Sequence, residues 1–229
     1  MTGEILGLLP VAILGGIIGL DVVSFPQAMI SRPIVAATIA GALVGNGAAG
    51  ALIGIVLELI ALDTLPFGAS RYPEWGSASV TGGALFAAEA GKSHGALPAA
   101  VLAALLTASV SGWSMVLHRR IIGRQLARYR DRLEEGSRTA LLSLHLGGLT
   151  MDLLRGCIVT FIALFVLRPL VEAIDAIWAV NAATSRAVVV AVGAIVAAGA
   201  LWKIFHSVWH ALWLFLGGLA AGFAFLAVR

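Results

Sequence analysis

Three long stretches of the chain contain no Asp, Glu, Lys or Arg, and this feature limits the possible folds more than any other. They span residues 33–57, 93–118 and 204–228, each about 25 residues long. A helix needs about 20 apolar residues to cross the hydrocarbon layer, so each stretch can form a tilted span. Only 12% of the 229 residues are charged, too few for the charged shell of a soluble domain. The chain is therefore predicted to be a polytopic membrane protein rather than a cytosolic enzyme.

Further apolar segments at residues 5–20, 156–167 and 187–202 add to these three stretches. We expect an all-α fold with roughly six to eight embedded helical segments, some of them broken or re-entrant rather than full crossings. The apolar runs are continuous and lack the alternation of period two that is typical of membrane strands. The whole chain, residues 1–229, is predicted to form one integral membrane domain.

A basic segment at residues 119–138 is predicted to be a cytoplasmic loop. It holds seven of the fifteen Lys and Arg residues, together with three acids. The positive-inside rule places such a segment on the cytoplasmic side. Arg124, Arg128 and Arg132 would share one face of a short helix. Two interpretations stay open, contact with anionic lipids or a docking surface for a soluble partner. Because the excess of positive over negative charge lies in this one segment, nucleic acid is not expected as a partner.

Polar residues within the apolar part are candidates for lining a substrate path, because a charge in the bilayer centre costs roughly 2.5–3.5 kcal/mol. Four of them follow steps of three, three and four, which would give a polar stripe on a helix: Asp21, Ser24, Gln27 and Ser31. Pro26 predicts a kink within this segment, and Arg32 before Pro33 predicts its end. Carboxylate, hydroxyl and amide groups together suit a polyol. The alternative is that Asp21 and Arg32 mark a membrane interface.

Two further positions favour a polar site in the same part of the chain. Asn46 lies between two glycines, which predicts two half-helices or a re-entrant hairpin. Glu58 follows 25 uncharged residues and is the strongest candidate for hydrogen bonding to a substrate. A buried carboxyl satisfied by its neighbours is the alternative. The turn-rich segment 66–75 offers aromatic rings and Glu74 to a sugar ring, or else forms an interfacial loop.

The remaining polar residues favour structural roles. Asp152 and Arg155 are three residues apart and can neutralise one another. His206 and His210 have a spacing that can hold a metal, but the tryptophans around them favour an interfacial aromatic belt. The sequence contains no nucleophile elbow, phosphate-binding loop or HExxH motif. We therefore expect no catalytic residues, no metal and no cofactor.

An ordered set of motifs spans residues 20–74. It comprises Leu20-Asp21, residues 25–33 ending in Ser31-Arg32-Pro33, residues 41–46, residues 50–59 with Leu57-Glu58-Leu59, residues 65–69, and Pro73-Glu74. In this order and spacing the segment resembles the IIC subunit of the mannose/fructose/sorbose-type phosphotransferase-system (PTS) sugar permeases. After Glu74 the likeness consists mostly of hydropathy and overall length.

The resemblance implies a helical fold with re-entrant hairpins that moves a sugar by an elevator-like displacement. It implies a IID membrane subunit as partner, soluble IIA and IIB phosphocarriers that carry the phosphate on histidines, and a place in the bacterial cytoplasmic (inner) membrane as an oligomer. Carried over by position, Asp21, Gln27, Arg32 and Glu58 are sugar-site residues. The expected function is to carry a hexose inward with IID for phosphorylation by IIB.

The chain departs from the family pattern at three positions. The family usually has Gly-Asp where this chain has Gly45-Asn46, Pro-Asp where it has Pro73-Glu74, and a glycine at Asp63. Asn46 and Glu74 complete the set of candidate sugar-site residues. The alternative hypothesis is a diverged copy, either a non-transporting sugar sensor or membrane scaffold, or a permease uncoupled from phosphorylation. An intramembrane enzyme is the weakest hypothesis, because no acid–base or nucleophile pair is visible.

Overall fold

The structure is a computed structural model that describes residues 2–62, 64, 71–89, 94–206 and 210–227. The predicted all-α fold is confirmed, since these residues form helices and no strand. The helices are α1 (Thr2–Val23), α2 (Pro33–Val44), α3 (Gly47–Ala61), α4 (Trp75–Glu89), α5 (Ala96–Arg128), α6 (Arg130–Glu134), α7 (Arg138–Ala176), α8 (Ala182–Phe205) and α9 (Ala211–Ala227). By length and composition, α1, α5, α7 and α8 can cross a membrane, while α2, α3 and α9 are shorter apolar helices.

The predicted break at Asn46 is present, and it makes α2 and α3 a tight helical hairpin. Gly45 ends α2 with a φ of 101°, a conformation that favours glycine. The Asn46 side chain then accepts a hydrogen bond from the Ala49 backbone N–H at 3.0 Å and caps α3. The two helices are in contact along their glycines, because a Cβ added to Gly50 would lie 2.3 Å from the carbonyl oxygen of Ala37.

Helix α4 forms the centre of the protein. Every residue from 76 to 87 is buried, and α4 packs against α1, α2, α3, α5 and α7. Small residues permit this close packing, since a Cβ added to Gly83 would lie 2.6 Å from the carbonyl oxygen of Ala37. The 15 residues of α4 are too few for a full crossing, so this helix is a core element enclosed by the longer ones.

The basic segment 119–138 differs from the prediction, because most of it is helical. Helix α5 continues through Arg128, and α6 follows after a break at Tyr129. The expected single helix face with Arg124, Arg128 and Arg132 is therefore wrong, since Arg132 belongs to a different helix. The end of α5, α6 and the start of α7, residues 119–148, are called the helical arm below. Its cytoplasmic location remains a prediction.

Candidate functional site

The loop between α1 and α2, residues 24–32, carries two of the predicted site residues. Helix α1 ends at Val23, so the predicted polar stripe on one helical face is wrong. The Asp21 carboxylate, 2% exposed, instead accepts hydrogen bonds from the backbone N–H groups of Ala28 at 2.6 Å and Ser31 at 2.8 Å. Buried backbone donors need such partners, especially in a membrane. Asp21 therefore shapes the loop from within.

The backbone of this loop adopts a conformation that is rare for residues with side chains. Gln27 has a φ of 57° and Met29 a φ of 62°, both in the left-handed region. Such residues persist only where the surroundings fix them, and they often lie at binding sites. The Gln27 side chain is exposed, and its amide nitrogen donates to the carbonyl oxygen of Val23 at 2.9 Å. Gln27 is thus accessible to a ligand.

Arg32 and Glu58 are brought together by the α2–α3 hairpin. The Arg32 guanidinium forms an ion pair with the Glu58 carboxylate, and their side chains are 51% and 18% exposed. The second Glu58 oxygen accepts from the backbone N–H of Ile34 at 3.2 Å, in the first turn of α2. Both charges therefore lie on the surface of the helices next to the loop. The ion pair therefore places the guanidinium donors and the carboxylate acceptor next to each other.

The other two predicted site residues lie elsewhere. Asn46 is at the opposite end of α3 from Glu58, which is about 18 Å along a helix of this length. Glu74 is fully buried, and its carboxylate accepts from the Ser111 hydroxyl at 2.6 Å and the Ser77 N–H at 3.1 Å. The structure therefore does not bring Asn46 or Glu74 to the Arg32–Glu58 pair, and their part in sugar binding remains a prediction.

A buried polar network links the loop to the centre of the protein. The Ser24 hydroxyl donates to Asp152 at 2.6 Å, and Asp152 accepts from Nε of Arg155 at 2.8 Å. Arg155 Nη1 donates to the Ser111 hydroxyl at 3.1 Å, and Ser111 donates in turn to Glu74. Asp152 is 1% exposed and the Arg155 side chain 8% exposed. The predicted Asp152–Arg155 pair is present, and it is one link in a chain across four segments.

A cavity of about 600 Å³ adjoins this network, between the end of α1 and helices α5, α6 and α7. Its polar lining consists of Ser24, His118, Arg119, His145 and Asp152, and the other walls are apolar. Nδ1 of His118 lies 3.8 Å from Asp152, and its Nε2 is buried without a hydrogen-bond partner among the described residues. We call this volume the arm cavity. Sequence reasoning missed it, because no local spacing relates residues on three helices.

The segment 66–75 is only partly described. Residues 65–70 and Asp63 lie outside the described residues, so sugar stacking there remains a prediction. In the described part, Arg119 donates to the Tyr72 hydroxyl at 2.6 Å, and Trp75 Nε1 donates to Thr64 at 2.8 Å. Within the described ranges, no group of three His, Cys, Asp or Glu residues is placed to hold a metal ion.

Comparisons with known proteins support the same architecture. A chain in a solved structure described as "Structure of membrane protein" has a TM-score of 0.73 and 21% identity, covering 97% of this chain and 87% of that one. A chain in a cryo-electron microscopy structure of the mannose transporter ManYZ with microcin E492 has a TM-score of 0.61 and 21% identity, with the same coverages. No curated protein matches the sequence. The family model EII-Sor, described as the PTS system sorbose-specific IIC component, matches residues 5–228, and the chain therefore belongs to this family of membrane sugar-transport subunits.

Proposed function

We propose that this IIC subunit carries a hexose across the bacterial inner membrane, together with a IID subunit, for phosphorylation by the IIB phosphocarrier. The observation that carries the proposal is the Arg32–Glu58 pair beside the loop with Gln27. A charge next to the start of α2 and another in the last turn of α3 are costly within a membrane unless they are paired or used. Here they are paired and still partly exposed, which is the state expected of groups that exchange one partner for a substrate.

The chemistry of the three side chains suits a sugar. Gln27 offers an amide donor and acceptor, Arg32 offers guanidinium donors, and Glu58 offers carboxylate oxygens. A hexose presents several hydroxyls, each of which donates one hydrogen bond and accepts others. Asp21 serves differently, since its carboxylate is used by the loop backbone and fixes the positions of Gln27 and Arg32. Preorganisation of this kind lowers the entropic cost of binding.

A partner subunit would complete the site. Gln27 and Arg32 lie on the surface of this chain, whereas a sugar site needs walls that exclude lipid and water. The family resemblance supplies the IID subunit as the candidate for the missing wall. The mannose transporter ManYZ, whose chain shares the fold at 21% identity, supports a hexose as the substrate class.

Two of the three departures from the family pattern, Asn46 and Glu74, fit the fold. Asn46 caps α3 through its side-chain oxygen, and aspartate serves equally well at such a position. The Glu74 carboxylate is fully engaged by Ser77 and Ser111, as a buried carboxylate must be. In the part of the chain that the structure describes, these two departures give no support to a non-transporting sensor or scaffold.

The test is sugar uptake by cells that make Glu58→Ala, Glu58→Gln or wild-type chain beside its IID and IIB partners. We expect Glu58→Ala to abolish uptake of labelled mannose or sorbose, and Glu58→Gln to retain part of it because the amide still accepts hydrogen bonds. Glu172→Ala is the matched control, since Glu172 pairs with Arg168 at 3.0 Å on an exposed helix face. Unchanged uptake by Glu58→Ala, with normal protein in the membrane, would remove Glu58 from the site.

A further inference from the structure

Helix α5 is longer than a bilayer is thick, and its basic end lies at the level of the lipid headgroups. Its 33 residues rise about 50 Å, against about 40–45 Å for a bilayer with its headgroups. Residues 96–118 contain no Asp, Glu, Lys or Arg, and Thr107 is their midpoint. With this midpoint at the bilayer centre, Arg120 lies about 20 Å and Arg124 about 26 Å from the centre. The hydrocarbon ends about 15 Å and the headgroups about 20–22 Å from the centre, so Arg120 lies among the headgroups and Arg124 just outside them.

One exposed face of α5 runs from the hydrocarbon into this basic end. Its apolar part consists of side chains that recur at steps of three and four residues and are 37% to 58% exposed: Leu102, Leu106, Val110, Trp113 and Leu117. The same steps continue to Arg120, Arg124 and Arg128, which are also exposed, and we call these three arginines the basic face. This surface is therefore apolar through the hydrocarbon and positively charged from the headgroups outward. A phospholipid, with apolar tails below an anionic phosphate, has the complementary order of groups.

The basic face has no ion pair or hydrogen bond to any of the residues that the structure describes. The neighbouring arginines differ in this respect. Arg119 donates to the Tyr72 hydroxyl at 2.6 Å, and Arg130 pairs with Glu134 at 2.8 Å. Helix α5 itself contains no Asp or Glu that could neutralise the basic face. Three like charges within about 12 Å of helix repel one another, so anions bound from outside the chain stabilise them.

We infer that the basic face binds the phosphates of anionic phospholipids and so anchors the helical arm at the membrane surface. Arg120 and Arg124 donate to phosphate oxygens, which the planar guanidinium matches with two parallel hydrogen bonds. The lipid tails lie along the apolar part of the same face. Arg128 is about a Debye length beyond the headgroups and adds a weaker attraction. Each arginine near an anionic membrane surface raises the affinity about fivefold.

The first experiment titrates the purified chain in uncharged detergent with phosphatidylglycerol or phosphatidylcholine of identical tails and counts bound lipids by native mass spectrometry. We expect the wild type to prefer phosphatidylglycerol at least tenfold, and Arg120→Gln with Arg124→Gln to prefer it less than twofold. Arg130→Gln with Arg132→Gln is the matched control. It removes the same two charges from α6, where Arg130 is already paired with Glu134, and should keep the full preference. No preference in the wild type, or an equal loss in both double variants, would overturn the inference.

A conservative variant separates lost charge from lost fold. Arg120→Lys with Arg124→Lys keeps both positive charges but loses the planar donors, so it should prefer phosphatidylglycerol at least threefold. All variants should elute as monodisperse protein in size-exclusion chromatography. If the lysine variant is monodisperse and yet has no more preference than the glutamine variant, the charge of the basic face does not select the lipid and the inference is wrong.

The second experiment asks whether the basic face serves a soluble protein instead of lipid. Purified IIB is added to the chain in nanodiscs of phosphatidylcholine, which offer no anionic lipid. We expect Arg120→Gln with Arg124→Gln to show the same level of IIB binding as the wild type. Binding at least tenfold weaker in this variant than in the wild type would assign the basic face to a protein partner and overturn the lipid assignment.

Discussion

The buried Asp152–Arg155 pair allows a quantitative prediction about stability. Asp152→Ala removes a carboxylate that is 1% exposed and leaves the Arg155 guanidinium, 8% exposed, without its counter-charge. Removing one partner of a buried ion pair costs about 3–5 kcal/mol, because the remaining charge is left desolvated. The Ser24 hydroxyl also loses its acceptor, which adds about 1 kcal/mol. For a chain of this size, the total of about 4–6 kcal/mol lowers Tm by roughly 8–24 °C.

The assay is the loss of monodisperse protein in detergent after heating, followed by size-exclusion chromatography. Asp152→Leu combined with Arg155→Met should lower Tm less than Asp152→Ala does, because the double variant leaves no unpaired buried charge. Glu172→Ala provides the control, since its partner Arg168 is 46% exposed and water replaces the lost contact. If Asp152→Ala has the same Tm as the wild type, or if the double variant has a lower Tm than the single one, the reasoning about this network is refuted.

Three further predictions concern single residues. Ser24→Ala should weaken hexose binding several-fold, measured by equilibrium binding of labelled sugar, because the loop loses its bond to Asp152, and it should lower Tm by only about 2–4 °C; unchanged affinity would show that this bond does not position the loop. Gly50→Ala should destabilise the hairpin by about 1–3 kcal/mol because its Cβ would meet Ala37, whereas Gly217→Ala, with nothing within 4 Å, should be neutral in the same melting assay. Asn46→Ala should cost about 1 kcal/mol through the lost helix cap while Asn46→Asp should not, and equal Tm values would contradict this role.

The parts of the fold that follow from run length and local chemistry were predictable from the sequence. Of the three uncharged stretches, only 93–118 lies in a helix long enough to cross a bilayer, α5. Residues 33–57 form the α2–α3 hairpin instead, and the described part of 204–228 holds the 17-residue α9. The hairpin follows from Gly45 and Asn46, since glycine accepts a positive φ and asparagine caps the next helix. The Asp152–Arg155 pair follows from its spacing of three residues on one helix. Each of these structural features is determined by residues that lie close together in the sequence.

The conformation of the loop 24–32 and the buried polar network could not be predicted from local sequence patterns. Steps of three, three and four residues at Asp21, Ser24, Gln27 and Ser31 predict a helix. Asp21 instead bonds the backbone N–H groups of two loop residues and so competes with helix formation. The bond from Ser24 to Asp152 joins residues 128 apart, and that from Ser111 to Glu74 joins residues 37 apart. Whether the partners of these two hydrogen bonds meet depends on how three helices pack around α4, which no local sequence pattern predicts.

The residues that fix the shape of the candidate site differ from the residues whose polar groups are free to contact a substrate. Asp21 and Asp152 hold the loop through atoms that face the protein, and both are nearly fully buried. Gln27, Arg32 and Glu58 present the groups that remain accessible. A substitution at Asp21 or Asp152 should therefore weaken binding of all hexoses alike, because it changes the loop and removes no contact with a particular hydroxyl. A change of preference among hexoses should arise from Gln27 or Glu58, whose donors and acceptors can match one hydroxyl arrangement better than another.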